Sequence, residues 1–340
     1  MYNKKDRVNL SGGGKRVKYL DIAKGILILL LVFAHFRSAL KRTDFENDFF
    51  VYVYGWNNIF TCFYMPAFFL ISGYCSSFRK DIASFTKSLL KKLVLPLFTL
   101  SIINDISYSL LVTHQDLYLV FLNAIKNGGT LWFIQALIIA KVICYTIYRM
   151  FKSNVLLMII TAVLLILGVV LNQFTIGFNL FYYQHGLVAS FFVALGLFLK
   201  DNAYIYEKLL KICLWGYPFI GIINFWYSPN ITAVLSVWIK AVPLFLLLST
   251  CGTLFLLSIC KRINENKWIE YWGQNSLIVY ALHFAPLVLL FKYLYICMQP
   301  KDAFAFVCFV VVLMTIEYLL CFLMIKISQY KPFKWLLGHY

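Results

Sequence analysis

The chain has 340 residues, 62% of them hydrophobic and only 13% charged, with a mean hydropathy of +0.78. Soluble domains run at about 45–50% apolar and about 25% charged, so this composition excludes a water-soluble globule and calls for lipid around most of the chain. The net charge of +17 would suit a nucleic-acid binder in a soluble protein, but here the basic residues flank apolar runs, which indicates positive-inside topology and attraction to anionic membrane lipids, with no nucleic-acid partner.

A membrane span needs about 20 apolar residues. On that criterion the sequence predicts an all-α, polytopic transmembrane bundle of ten helices, at 19–39, 56–78, 93–113, 129–149, 154–173, 181–199, 209–227, 239–260, 275–296 and 303–325. Before them lies a basic segment, 1–18, with a flexible Ser11-Gly12-Gly13-Gly14 lead-in; after them comes a short tail, 326–340. The run Gly25–Phe36 is not a signal-peptide core, because it is bracketed by Lys24 and His35 and no small-residue cleavage site follows. Leu117–Ala124 is expected to form a short interfacial helix, and Pro229–Trp238 to extend the eighth span. Basic residues crowd alternate loops, with Lys15, Arg16, Lys18, Arg79, Lys80, Lys91, Lys92, Lys261 and Lys326 on one side and few on the other. Both termini are therefore predicted to be cytoplasmic. Nine cysteines without metal-ligand or CxxC spacing, among them Cys62, Cys144, Cys251, Cys308 and Cys321, fit small core residues, and no metal is expected.

Ionisable residues inside a span are costly, and each is a functional candidate by default. The first predicted helix carries Asp21, Lys24 and His35, the third Asp105, the fourth Lys141, the ninth His283 and the tenth Glu317. Lys24 and His35 are eleven residues apart, which leaves them roughly 20° apart around a helix and about 16 Å apart along it. With Asp21 one turn earlier they form a polar stripe. An imidazole is suited to taking a proton from a hydroxyl near neutral pH, which makes His35 the candidate catalytic residue. Asp105 and Glu317 are candidate orienters of His35 and candidate ion-pair partners of Lys141. His283 is expected to be a hydrogen-bonded packing residue or part of a cavity wall.

Four stretches together resemble the acyltransferase-3 family of membrane O-acyltransferases. Tyr19-Leu20-Asp21-Ile22-Ala23-Lys24-Gly25-Ile26, followed by His35, is similar to the family's opening motif of a basic residue, ten residues and a histidine. Phe63–Tyr74, containing Met65-Pro66 and Ser72-Gly73-Tyr74, resembles the second-helix signature, and Leu131-Trp132-Phe133-Ile134-Gln135 the fourth-helix element. The stretch Tyr271-Trp272-Gly273-Gln274-Asn275-Ser276-Leu277, running on through Tyr280 to His283, is similar to the family's Gly-x-x-Ser-Leu…Tyr-x-x-His segment.

The resemblance implies transfer of an acetyl group from acetyl-CoA to a hydroxyl of a carbohydrate or glycan acceptor, in the manner of fucose 4-O-acetylase-like or capsular polysaccharide O-acetyltransferases. It also implies a multi-pass protein of a bacterial cytoplasmic membrane, in the single-domain form without an appended esterase-like domain. His35 becomes catalytic. Lys24, where many members carry arginine, becomes a point charge for the CoA phosphates, together with Asp21, Arg79, Lys91 and Lys92. Trp132, Gln135, Ser72, Tyr74, Asp105, Lys141, Asn275, Ser276, Tyr280, His283 and Glu317 become candidate cavity or substrate residues, with Trp132, Asn275 or Ser276 stabilising an oxyanion. The sequence leaves open a proton-coupled transporter or flippase of glycan assembly, with His35, Lys24, Asp105 and Glu317 as a proton relay. A catalytically silent scaffold is a third reading.

Overall fold

A computed structural model describes residues 16–40, 49, 58–127, 131–174, 182–226, 241–263, 265–330 and 333, with backbone alone for 123–127, 174 and 223–226. The basic lead-in up to residue 15, the Pro229–Trp238 stretch and most of the tail lie outside the described residues. All regular structure among the described residues is helical.

The helices are α1 (Lys18–Ala34), α2 (Phe36–Leu40), α3 (Tyr64–Tyr74), α4 (Ile82–Leu89), α5 (Leu95–Tyr108), α6 (Leu117–Asn127), α7 (Trp132–Phe151) and α8 (Asn154–Phe174). They continue as α9 (Tyr183–Asp201), α10 (Ala203–Trp226), α11 (Val242–Arg262), α12 (Lys267–Gln274), α13 (Ser276–Leu282), α14 (Phe284–Met298) and α15 (Ala303–Ser328). Two π-helical turns, Leu90–Val94 and Ser109–Thr113, flank α5. Where polar loops precede a helix, side-chain caps start it. Asp81 accepts from Ser84 N at 2.9 Å, Asn266 from Ile269 N at 3.1 Å and Asp302 from Ala305 N at 2.8 Å, each satisfying an amide that the first turn leaves without a helical partner.

Among the described residues, seven helices are long and apolar enough to cross a bilayer, and α13 with α14 makes an eighth if that pair, bent by 53°, is one span. The sequence pattern predicts ten. The second and seventh predicted spans also fall on helices, Asn58–Tyr74 and the 24-residue α10 containing Pro218, each ending against residues outside the described ones; the third is lengthened into a 32-residue run from Ile82 to Thr113. The most exposed large side chains include Phe304 at 79% and Trp215 and Phe219 at 73%, which is tolerable only against hydrocarbon.

Helices α1 and α9 are the inner elements. α1 packs on α3, α11, α12 and α13, and α9 on α3, α7, α8 and α10. With little hydrophobic drive between helices in lipid, close backbone approach does this work. A Cβ on Gly273 would overlap the Asp21 carbonyl and one on Gly25 the Ile269 carbonyl, so α1 and α12 touch backbone to backbone. The basic helix ends gather at one end of the bundle. There Lys18 pairs with Glu265, Lys261 with Glu207, and Arg79 with Asp201 at 3.3 Å.

Candidate active site at two helix breaks

His35 and His283 each sit where a helix is interrupted. His35 follows α1 and precedes α2, and His283 forms the bend between α13 and α14. The interruption brings the rings together. They stack with centroids 4.8 Å apart and planes 14° from parallel, and His35 Nδ1 lies 2.6 Å from His283 Nε2.

The proton positions follow from the surroundings. His283 Nδ1 lies 2.8 Å from the Val279 carbonyl and 3.1 Å from that of Tyr280, carbonyls at the frayed end of α13. A carbonyl only accepts, so His283 Nδ1 carries the hydrogen. In a neutral pair His283 Nε2 is then the acceptor, and His35 Nδ1–H donates to it. That assigns the lone pair of His35 to Nε2. When Nε2 takes a proton, the bond to His283 survives unchanged and stabilises the imidazolium. His283 is 1% exposed, whereas His35 is half-buried and lines a cavity.

The cavity has a volume of about 290 Å³ and is lined by His35, Ser38, Asn104, Asp105, Tyr108, Leu131, Trp132, Tyr280, Ala281, His283 and Phe284. Its walls come from the α1–α2 break, from α5, from the start of α7 and from the α13–α14 break. Helix α5 packs against both α13 and α14, which carries Asp105 to the bend at His283. Asn104 Nδ2 donates to Asp105 Oδ1 at 3.0 Å. Tyr108 stacks on Phe284, and behind Trp132 lie His185 and then Tyr182. A second, smaller cavity of about 50 Å³ adjoins at Tyr280 and is lined by Met65, Phe68, Phe133, Ser276 and Leu277 besides. The Tyr280 hydroxyl accepts from Phe133 N at 3.2 Å, which leaves its own proton to be donated.

Of the residues singled out from sequence, His35, Asp105, Trp132, Tyr280 and His283 share the main cavity, and Ser276 lines the small one. The others lie elsewhere. Gln135 is buried in α7 outside both linings, and Asn275 caps α12 with its amide donating to the Tyr271 carbonyl at 2.7 Å. Ser72 and Tyr74 end α3 toward the basic end, where the Ser72 carbonyl accepts from Ser76 and Tyr74 packs on Tyr206.

His35 and Lys141 have other neighbours than the acidic residues expected from sequence. Glu317 is fully buried in α15 and accepts from Cys321 Sγ at 3.4 Å, away from the cavity; the residue in contact with His35 Nδ1 is His283, not Glu317 or Asp105. Lys141 has Cys75, Lys92 and Cys144 as its electrostatic neighbours, not Asp105 or Glu317. Spacing along one helix says nothing of which neighbour faces it.

At the other end of α1, Lys24 pairs with Asp21 at 2.5 Å. Lys91 and Lys92 occupy the exposed π turn after α4, and Arg79 also donates from Nε to Tyr148 Oη at 3.3 Å. Sequence reasoning missed Ser38, Asn104, Tyr108 and Phe284. A helical signal exists for three of them: Ser38 is three residues from His35, Asn104 is next to Asp105, and Tyr108 is one turn after it.

A basic residue, ten residues and a histidine on one helix, with a second histidine in contact with it at the wall of a cavity, can now be set against known families. The chain matches the family model described as an acyltransferase domain over residues 17–326. It belongs to the acyltransferase-3 family. No curated protein and no solved structure matches it. The protein is therefore a multi-helix membrane acyltransferase, and acyl transfer is the chemistry its cavity has to serve.

Proposed function

We propose that this acyltransferase moves an acetyl group from acetyl-CoA, bound at the basic end of the bundle, to a hydroxyl of a cell-surface carbohydrate or its lipid-linked precursor. The basic end faces the cytoplasm of a bacterial cell, and both termini lie there. The observation that carries the reading is the histidine pair, which presents His35 Nε2 as a base to a cavity walled by aromatic rings and short polar side chains.

The acceptor hydroxyl gives its proton to His35 Nε2 while its oxygen attacks the thioester carbonyl carbon. A carbon–oxygen bond forms, and the oxyanion accepts from Tyr280 Oη–H and from the Trp132 indole N–H. As the tetrahedral centre collapses, the carbon–sulfur bond breaks and the CoA thiolate takes the proton back from His35. The Lys24-to-His35 rise of about 16 Å is of the order of an extended pantetheine arm. The small cavity beside Tyr280 is built partly from α3 and the start of α13.

The test uses purified protein with acetyl-CoA and sugar acceptors. His35→Ala is expected to abolish ester formation, and Lys24→Met to abolish the thermal stabilisation that CoA confers on wild type. Full transfer by His35→Ala overturns the role given to His35, and proton-coupled uptake without any CoA effect overturns the reading in favour of a transporter.

A further inference from the structure

We propose that Lys24, Lys141 and Lys200 form a diphosphate site around Cys75, where the nucleotide end of the acyl donor binds. Lys141 thereby belongs to the donor and not to the acceptor cavity. The inference rests on the acyl-transfer reading above and names the part of the basic end that holds the donor.

The end of α3 makes the site. Helices α3 and α9 touch backbone to backbone, since a Cβ on Gly196 would overlap the Leu70 carbonyl. Helix α3 stops at Tyr74, whereas α9 runs on to Asp201. Lys200 is one turn beyond Gly196, so it lies on the face of α9 turned to α3, and its Nζ donates to the Ser76 carbonyl at 2.9 Å. Cys75, the residue that ends α3, is exposed, and its charged neighbours are Lys24 of α1, Lys141 of α7, Lys200 of α9 and Asp21. Helices far apart in sequence thus bring their ammonium groups to one thiol. Lys92, from the π turn after α4, adjoins Lys141.

The carboxylates of this region are already engaged. Asp21 pairs with Lys24 at 2.5 Å, and Asp201 accepts from Arg79 Nη2 at 3.3 Å and from Asn154 Nδ2 at 2.8 Å. Lys141 has two thiols and another lysine as its electrostatic neighbours, and no carboxylate among the described residues. It is half-buried and lies about 15 Å short of the end of α7, where an ammonium without a counter-ion is costly. A bound diphosphate supplies that counter-charge, and lysine meets phosphate as a point charge from any side. A lipid headgroup would offer the same chemistry, but the lysines converge between α3 and the inner helices α1 and α9, which favours a donor entering from the aqueous end. The depth agrees with this. Lys24 is about 16 Å from His35 along α1, and Lys141 about 14 Å from Trp132 along α7, so a diphosphate held there leaves the pantetheine arm to span the remainder.

The experiment follows alkylation of Cys75 by N-ethylmaleimide in purified wild-type protein, read by mass spectrometry, with the other exposed thiol, Cys297 in α14, as internal reference. Saturating acetyl-CoA or inorganic diphosphate is expected to slow Cys75 at least about fivefold and to leave Cys297 unchanged. Acetylpantetheine, which lacks the diphosphate, is expected to protect neither. Lys141→Met and Lys200→Met are each expected to raise KM for acetyl-CoA about tenfold with kcat within about threefold, and Lys141→Arg, which keeps the charge, to restore KM. An unchanged KM in both methionine variants overturns the proposal. So does acetyl-CoA that stabilises wild type against heat while Cys75 reacts at its free rate, a result that needs no variant to fold and leaves the acyl-transfer reading standing. Protection of Cys75 in phosphatidylglycerol nanodiscs relative to phosphatidylcholine ones, with no nucleotide added, gives the site to a lipid headgroup and also overturns it. If acetyl-CoA neither stabilises wild type nor protects Cys75, the acyl-transfer reading fails and takes this inference with it.

Discussion

Replacing His283 by phenylalanine keeps a flat ring at the bend but removes the acceptor for His35 Nδ1–H. The hydrogen bond lost is the 2.6 Å contact between the two rings, and its donor lies at the inner side of the site. A buried donor left without a partner costs about 1–3 kcal/mol, which at about 1.4 kcal/mol per decade is roughly a 5- to 150-fold loss of rate. The alternative for His35 is to move its proton to Nε2, which turns the base away from the cavity and costs a similar amount. Either way the loss should appear mainly in kcat, because His283 stabilises the imidazolium that forms only as the hydroxyl is deprotonated. His283→Gln keeps an oxygen able to accept from His35 Nδ1–H and is expected to stay within about tenfold of wild type. The measurement is the steady-state rate of ester formation at matched detergent, with thermal melting to show equal folding. A phenylalanine variant as fast as wild type would falsify the tautomer argument. So would phenylalanine and glutamine variants equally slow.

Three further outcomes follow from packing and charge. Gly273→Ala puts a Cβ into the Asp21 carbonyl across the α1–α12 contact, and is expected to lower the melting temperature by an amount matching about 1–3 kcal/mol of overpacking; Gly216→Ala, with open space around it, should be neutral or stabilising. Lys24→Met leaves the Asp21 carboxylate, only 5% exposed, without its ion pair, so the single variant should melt lower than the Lys24→Met, Asp21→Asn double variant. At the exposed end, the hydrogen bond from Lys18 holds the Glu265 carboxyl below its usual range. A depressed carboxyl stabilises the folded state above its unfolded pKa and loses that contribution as pH falls through the folded value. Acidification below about pH 4 should therefore lower the melting temperature of wild type slightly more than that of Glu265→Gln, an exposed pair being weak.

Much of this protein can be read along the chain. The apolar runs place most of the helices, and the α6 segment from Leu117 stands where a short interfacial helix is expected. The anomaly of His35 in an apolar run points to the site. The break at His283 has a local cause in Pro286, which has no N–H for the Leu282 carbonyl; the bend of 53° there places the His283 Nδ1–H against the last carbonyls of α13, a contact the runs alone do not show. Glu317 and Lys141 look like site residues because charge is rare in lipid, yet Glu317 is buried beside Cys321 and Lys141 is half-buried among Cys75, Lys92 and Cys144, both outside the cavity lining. Rarity marks a residue as worth explaining without saying which neighbour explains it.

The sequence by itself determined the membrane setting, the helical class and the one-faced stripe from Asp21 through Lys24 to His35. Those depend on composition and on the 3.6-residue repeat, both of which are local. The partner of His35 and the residues around it were decided by the tertiary structure alone. They are set by contacts between helices up to hundreds of residues apart in sequence, such as His35 with His283. Those contacts depend on where glycines let backbones touch and where helices break.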